Sequence, residues 1–164
     1  MKKETMMKTL KEAISNVLDT MFFQPVQLDE SNSNFQEWFS IGQSLCGATV
    51  SFNGPLAGSL YLIVPLDLLS EITANFLGLK EEEIHEDQRR DTVREALNMI
   101  GGRMLSLADK AGAFKLGIPE LMDENDLSDE KLAALRGDMV FIGTENNHLA
   151  AGIMIETGNL KLET

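Results

Sequence analysis

Asp91, Glu95, Asn98 and Gly102 lie at steps of four, three and four in the stretch Asp91-Thr-Val-Arg-Glu95-Ala-Leu-Asn98-Met-Ile-Gly101-Gly102. That spacing places them on one face of a helix. A carboxylate in such a row can hold a cation. A carboxamide offers a donor and an acceptor on one short side chain and has no proton-transfer pKa, so it can fix the direction of a bound water. Each adjacent glycine in a helix costs about 1 kcal/mol relative to alanine. Two readings account for the pair: close approach of another molecule, or tight packing against a neighbouring element. Val93, Leu97, Ile100, Met104 and Leu107 recur at helical spacing on a different face, as expected of a stripe turned to a core.

The elements that must carry this row can be traced along the chain. Met7, Leu10, Ile14, Val17, Leu18 and Met21 have the period of a core-facing helix from Glu4 to Phe23. The polar run Asp29 to Asn34 after Pro25 reads as a surface loop. From Leu45 to Phe52 and from Ala57 to Val64, small, branched and aromatic residues flank the turn chemistry of Asn53-Gly54-Pro55, predicting a β-hairpin. Pro65 opens a second helix with Leu66, Leu69, Ile72 and Phe76 as its stripe and Gly78 as its stop. The row-bearing helix spans roughly 86–110, and Gly112, Gly117 and Pro119 mark an irregular segment after it. Ser128 caps a short fourth helix ending near Gly137. A second hairpin pairs 139–143 with 149–156 around Thr144 to His148. This order predicts one α+β domain across residues 1–164, an antiparallel-rich sheet with helices packed on it.

Composition narrows the chemistry. Fourteen basic and twenty-six acidic side chains give a net charge of −12, which disfavours a nucleic-acid partner. The densest acidic run, Glu81 to Asp87, reads as a solvated lead-in to a helix whose dipole favours anions at its start. His85 and His148 are far apart with no cysteine near either, so no zinc-ligand spacing is present. Cys46 is the only cysteine. It excludes an internal disulfide, fits a reducing cytoplasm and reads as a small buried residue. No apolar run reaches the length of a membrane span, and the lysines and glutamates near Met1 leave no signal-peptide core.

Glu95-x-x-Asn98 on a long central helix, preceded by Asp91 and followed by Met-Ile-Gly-Gly, resembles the signature of the chemotaxis phosphatases CheC, CheX and FliY. The first helix, Glu12-Ala-Ile-Ser-Asn16-Val-Leu-Asp-Thr-Met-Phe, the segment Gly58-Ser-Leu-Tyr-Leu-Ile-Val64 and the helix after Pro65 follow the order of the CheX branch over nearly the whole chain. Pro119 comes slightly early for the proline of the CheC pattern. The only candidate for a second, N-terminal motif, Glu12 with Asn16, is spaced one residue too wide, so one active centre per chain is expected.

The resemblance implies hydrolysis of the aspartyl phosphate of a phosphorylated CheY-type receiver domain. In that reading Asn98 orients the attacking water, as a glutamine does in GTPases, and Glu95 meets the active-site lysine of the receiver. Asp91 tunes Arg94 or touches the partner, and Gly101 and Gly102 let it approach. No cofactor is expected on this chain; the magnesium ion would ride on the receiver. A homodimer is expected by the same resemblance. On residue chemistry alone, Glu95 could instead be a solvated helix residue near Arg90 or Arg94, where an exposed pair would contribute only about 0.5 kcal/mol. A non-catalytic scaffold that binds a receiver, and a component of the flagellar switch, remain the alternative functions.

Overall fold

The computed structural model describes residues 3–29, 42–109, 111–133 and 138–156. In chain order the elements are α1 (Lys3–Met21), β1 (Gln27–Asp29), β2 (Leu45–Asn53), β3 (Gly58–Pro65), α2 (Leu66–Leu77), a single 3₁₀ turn (Glu81–Glu83), α3 (Glu86–Ala108), β4 (Lys115–Leu116), β5 (Glu120–Leu121), α4 (Asp129–Ala133), β6 (Asp138–Gly143) and β7 (His148–Ile155).

The two hairpins form as the residue types and turn chemistry predict, β2 with β3 and β6 with β7. They merge because β3 pairs with β7, Gly58 opposite Ile155 and Ile63 opposite Ala150. The result is one antiparallel sheet in the order β1-β6-β7-β3-β2-β4, with β5 also on β2. Alternation sorts the side chains: Ala48, Val50, Phe52, Leu60, Leu62, Val64, Val140, Ile142, Leu149, Ala151 and Ile153 all join one core under α1, α2 and α3. On the opposite side Phe141 and Ala150 form a smaller cluster with Leu45 and Met139. The architecture is therefore the expected α+β class, helices laid on an antiparallel sheet.

Local chemistry explains where the helices stop. Pro65 stands at the N-cap of α2 in extended backbone, and Gly78 closes it at φ 68°, sending its N–H to the Ala74 carbonyl. Glycine takes this left-handed geometry without steric cost. The end of α1 uses the same geometry with a less suitable residue: Phe23 adopts φ 53°, and the Gln24 N–H returns to the Leu18 carbonyl at 2.8 Å. This reversal seats Phe22 in the core against Phe76, with ring centroids 4.7 Å apart.

Several expectations need correction. Met21 is exposed and Phe22 takes its place in the core, because the chain leaves the helix at Met21. Leu66 is exposed whereas Leu68 is buried, since at the start of α2, where the Leu66 N–H still donates to the Ser44 carbonyl at 3.0 Å, the core-facing side of the helix begins with Leu68 and Leu69. The segment after Pro25 contains β1, which pairs with β6; the rest of the polar run beyond Asp29 lies outside the described residues. The segment after α3 contains β4 and β5, both on β2. Asp109 shapes the path to β4 by accepting from Ala111 and Ala113 N–H groups, each at 3.0 Å. Ser128 caps α4 by accepting the Lys131 N–H at 3.3 Å; the expected end near Gly137 lies outside the described residues.

Candidate active site

The site is built on α3. Its start is prepared by Glu86 and Asp87 in the first turn, where the helix dipole favours anions. The His85 N–H donates to Gln88 Oε1 at 2.8 Å, satisfying a backbone donor that the helix itself cannot. Val93, Leu97, Ile100 and Met104 are buried, each at 1% exposure or less; Leu107 is half-buried. That stripe fixes the rotation of the helix, since turning it would expose those side chains to water. Asp91, Glu95, Asn98 and Gly102 are consequently all exposed, along one flank.

The acids of this row differ in their surroundings. Asp91 is ion-paired with Arg94, and Arg90 is drawn back to Glu86 at 2.7 Å. Among the described residues neither the Glu95 carboxylate nor the Asn98 carboxamide has a side-chain hydrogen bond or ion-pair partner. Glu95 is a solvated residue that closes no pair with Arg90 or Arg94, since both cations are turned to other acids. The row offers water-facing groups that can still take a cation and hold a water.

The two glycines part company. A Cβ on Gly101 would lie 3.1 Å from Leu116 Cδ1 and 3.4 Å from Leu60 Cδ1, so this glycine serves packing beneath the helix. Its assignment to the partner-facing set is corrected, because position 101 is a third of a turn away from the exposed flank. A Cβ on Gly102 would meet nothing within 4 Å, leaving its backbone open to an approaching surface.

Beside Asp91 and Glu95 lies a shallow depression of about 380 Å³ lined by Phe76, Leu77, Gln88, Asp91, Thr92 and Glu95. Sequence reasoning did not find this wall. The available signal was Leu77, an apolar residue off the stripe of α2 and immediately before its glycine stop; it is 42% exposed. On α1, Glu12 and Asn16 are exposed helix-surface residues. Cys46 is half-buried rather than fully buried, and burial pushes its thiol pKa up, against smaller lowering by Arg90. Among the described residues no three His, Cys, Asp or Glu side chains come together as metal ligands, and no helix is long and apolar enough to cross a membrane.

A family model described as chemotaxis phosphatase CheX matches residues 46–137, the interval from β2 through α3 and α4. Solved structures agree in fold. The chemotaxis protein CheX from Vibrio vulnificus superposes with a TM-score of 0.70 at 18% identity, covering 92% of this chain and 96% of that one. A CheC-like superfamily protein from Shewanella sp. PV-4 gives 0.64 at 22% identity, covering 95% and 99%. CheX in a CheX–CheY complex with beryllofluoride and magnesium from Borrelia burgdorferi gives 0.60 at 10% identity, covering 92% and 97%. The search of curated proteins finds no match.

Proposed function

The chain belongs to the CheX family of chemotaxis phosphatases, and from that premise we propose that it hydrolyses the aspartyl phosphate of a CheY-type receiver domain, Asn98 orienting the attacking water and Glu95 docking on the receiver's lysine. The observation that supports this reading is the exposure of both side chains on one flank of α3, with no partner for either among the described residues.

An acyl phosphate is already activated, so its hydrolysis needs a water in line with the breaking P–O bond and charge stabilisation at the phosphoryl oxygens. The Asn98 carboxamide oxygen accepts a hydrogen bond from that water and so points its lone pair at phosphorus, the water's protons staying with the phosphate that forms or passing to solvent. Oxygen–phosphorus bond formation and loss of the receiver's carboxylate then give inorganic phosphate. Glu95, one turn earlier, meets the lysine ammonium and sets the register of the two proteins. The open backbone at Gly102 leaves room for the receiver's loops. The divalent cation belongs to the receiver, and the CheX–CheY complex from Borrelia burgdorferi was captured with magnesium. We place the reaction in the cytoplasm and the protein in a homodimer that covers a free sheet edge beyond β1 or β4; sedimentation of a monomer at high concentration would remove the dimer.

The decisive measurement is phosphate release from a phosphorylated CheY-type receiver. The wild-type chain should accelerate release, and Asn98→Ala should lower that acceleration by about a hundredfold. Equal rates with and without the wild-type chain, alongside retained binding, would make it a scaffold.

A further inference from the structure

We propose that the depression between the end of α2 and the first half of α3 is a specificity pocket, which takes one large apolar side chain of the receiver next to the lysine that Glu95 meets. The inference rests on the docking role of Glu95 proposed above.

Three observations carry it. The pocket joins Phe76 and Leu77 on α2 to Asp91 and Glu95 on α3, so any surface seated on Glu95 also faces the apolar wall. Leu77, off the core-facing stripe of α2, keeps 42% of its surface in water where it lines this depression, whereas Leu68 and Leu69 on the stripe side are buried. The polar groups of the floor are committed elsewhere: the Thr92 hydroxyl donates to the Gln88 carbonyl at 2.7 Å, and Gln88 Oε1 accepts the His85 N–H. What is left is an apolar wall with an acidic rim. With Asp91 matched by Arg94 and Glu95 unmatched, the rim favours one added positive charge, and the wall favours an aliphatic or aromatic group beside it. A lysine flanked by a large apolar residue is the surface that fits both.

Phe76 already stacks on Phe22 and cannot be altered without disturbing the core, so Leu77 is the residue to change. The test is a titration of the full chain with a CheY-type receiver activated by beryllofluoride and magnesium, read as an equilibrium affinity that does not depend on turnover. Leu77→Gln, and Leu77→Ala as a second variant should the first fold poorly, are expected to weaken binding about tenfold, the loss that goes with one apolar side chain left in water. Leu77→Met should stay within about twofold of wild type, because methionine refills the wall. Met154→Gln removes a comparably exposed apolar residue on β7 and should leave affinity unchanged.

Wild-type affinity in both Leu77→Gln and Leu77→Ala overturns the pocket, and so does an equal loss in Met154→Gln. If the wild-type chain binds and Leu77→Gln weakens it, yet phosphate release is not accelerated, the pocket stands and the enzymatic reading falls. If Glu95→Gln binds as wild type while Leu77→Gln is weakened, the apolar contact at Leu77 is real but its occupant does not flank a lysine held by Glu95, and both the docking role and the proposal built on it fall. A wild-type chain that binds no activated receiver overturns both.

Discussion

Asp91 and Arg94 close an ion pair on the exposed flank of α3, so the first acid of the row is matched while Glu95, one turn further on, is not. An approaching ammonium therefore has one uncommitted carboxylate to meet, and removing that carboxylate should matter more than removing the matched one.

Glu95→Gln is expected to raise the receiver concentration needed for half-maximal phosphate release by about tenfold, as for a charge-assisted contact reduced to a neutral one. Asp91→Asn should raise it by no more than about threefold, since much of its charge already serves Arg94. Steady-state titration of both variants checks the order; the reverse order would move the docking role to Asp91.

The adjacent glycines should respond with opposite signs. Gly101→Ala pushes a methyl against Leu116 and Leu60, and overpacking should outweigh the helix-propensity gain, for a net loss of about 1 kcal/mol. Gly102→Ala meets open space and should gain about 1 kcal/mol in stability from propensity alone, while slowing the reaction by crowding the partner. Denaturant unfolding of the two variants gives the stabilities, and a stabilised Gly101→Ala would show that the contact with Leu116 yields easily.

Phe23→Gly should stabilise the fold by about 1 kcal/mol. The backbone at Phe23 lies in the left-handed region that a side chain makes costly, and its ring is 68% exposed, so little packing is lost. Thermal unfolding measures this. A lower midpoint would mean that the ring makes a contact worth more than the backbone strain.

Burial raises the Cys46 pKa, and the sign of the effect on stability follows. Below the ordinary thiol range both folded and unfolded chains hold the proton, and the protective contribution is intact. As pH rises through that range the unfolded chain ionises first, so the contribution falls and is gone above the folded value. Alkylation of the native protein at neutral pH should be slower than that of a free thiol. Denaturant titrations at alkaline pH should show a steeper decline for wild type than for Cys46→Val. A fast native reaction would contradict the burial effect.

The rotation of α3 was legible in the sequence because Val93, Leu97, Ile100 and Met104 repeat over several turns, and a long period determines which flank is left for Asp91, Glu95 and Asn98. The hairpins were legible through their small, branched and aromatic residues and through the turn residues Asn53-Gly54-Pro55 and Thr144 to His148. Strands β1, β4 and β5 were not: two or three residues carry no period, and they are strands only because β6 and β2 offer them free edges. The inward turn of Gly101, four residues after Leu97 and three before Met104, belongs to the same period; what was hidden is its contact with Leu116, which arrives from β4. The pocket at Leu77 was hidden for a similar reason, because it exists between two helices and belongs to the pattern of neither.

The pairing of β3 with β7 brings Gly58 opposite Ile155, and this has a consequence for synthesis. On the ribosome, α3 with its Glu95 and Asn98 emerges after α1, β2 and β3, against which it packs, but well before β7, the partner of β3, and closing so long a loop is a slow step in folding. The nascent helix therefore meets its own floor early, while the far side of β3 stays an open sheet edge until β7 has been released and zipped into place.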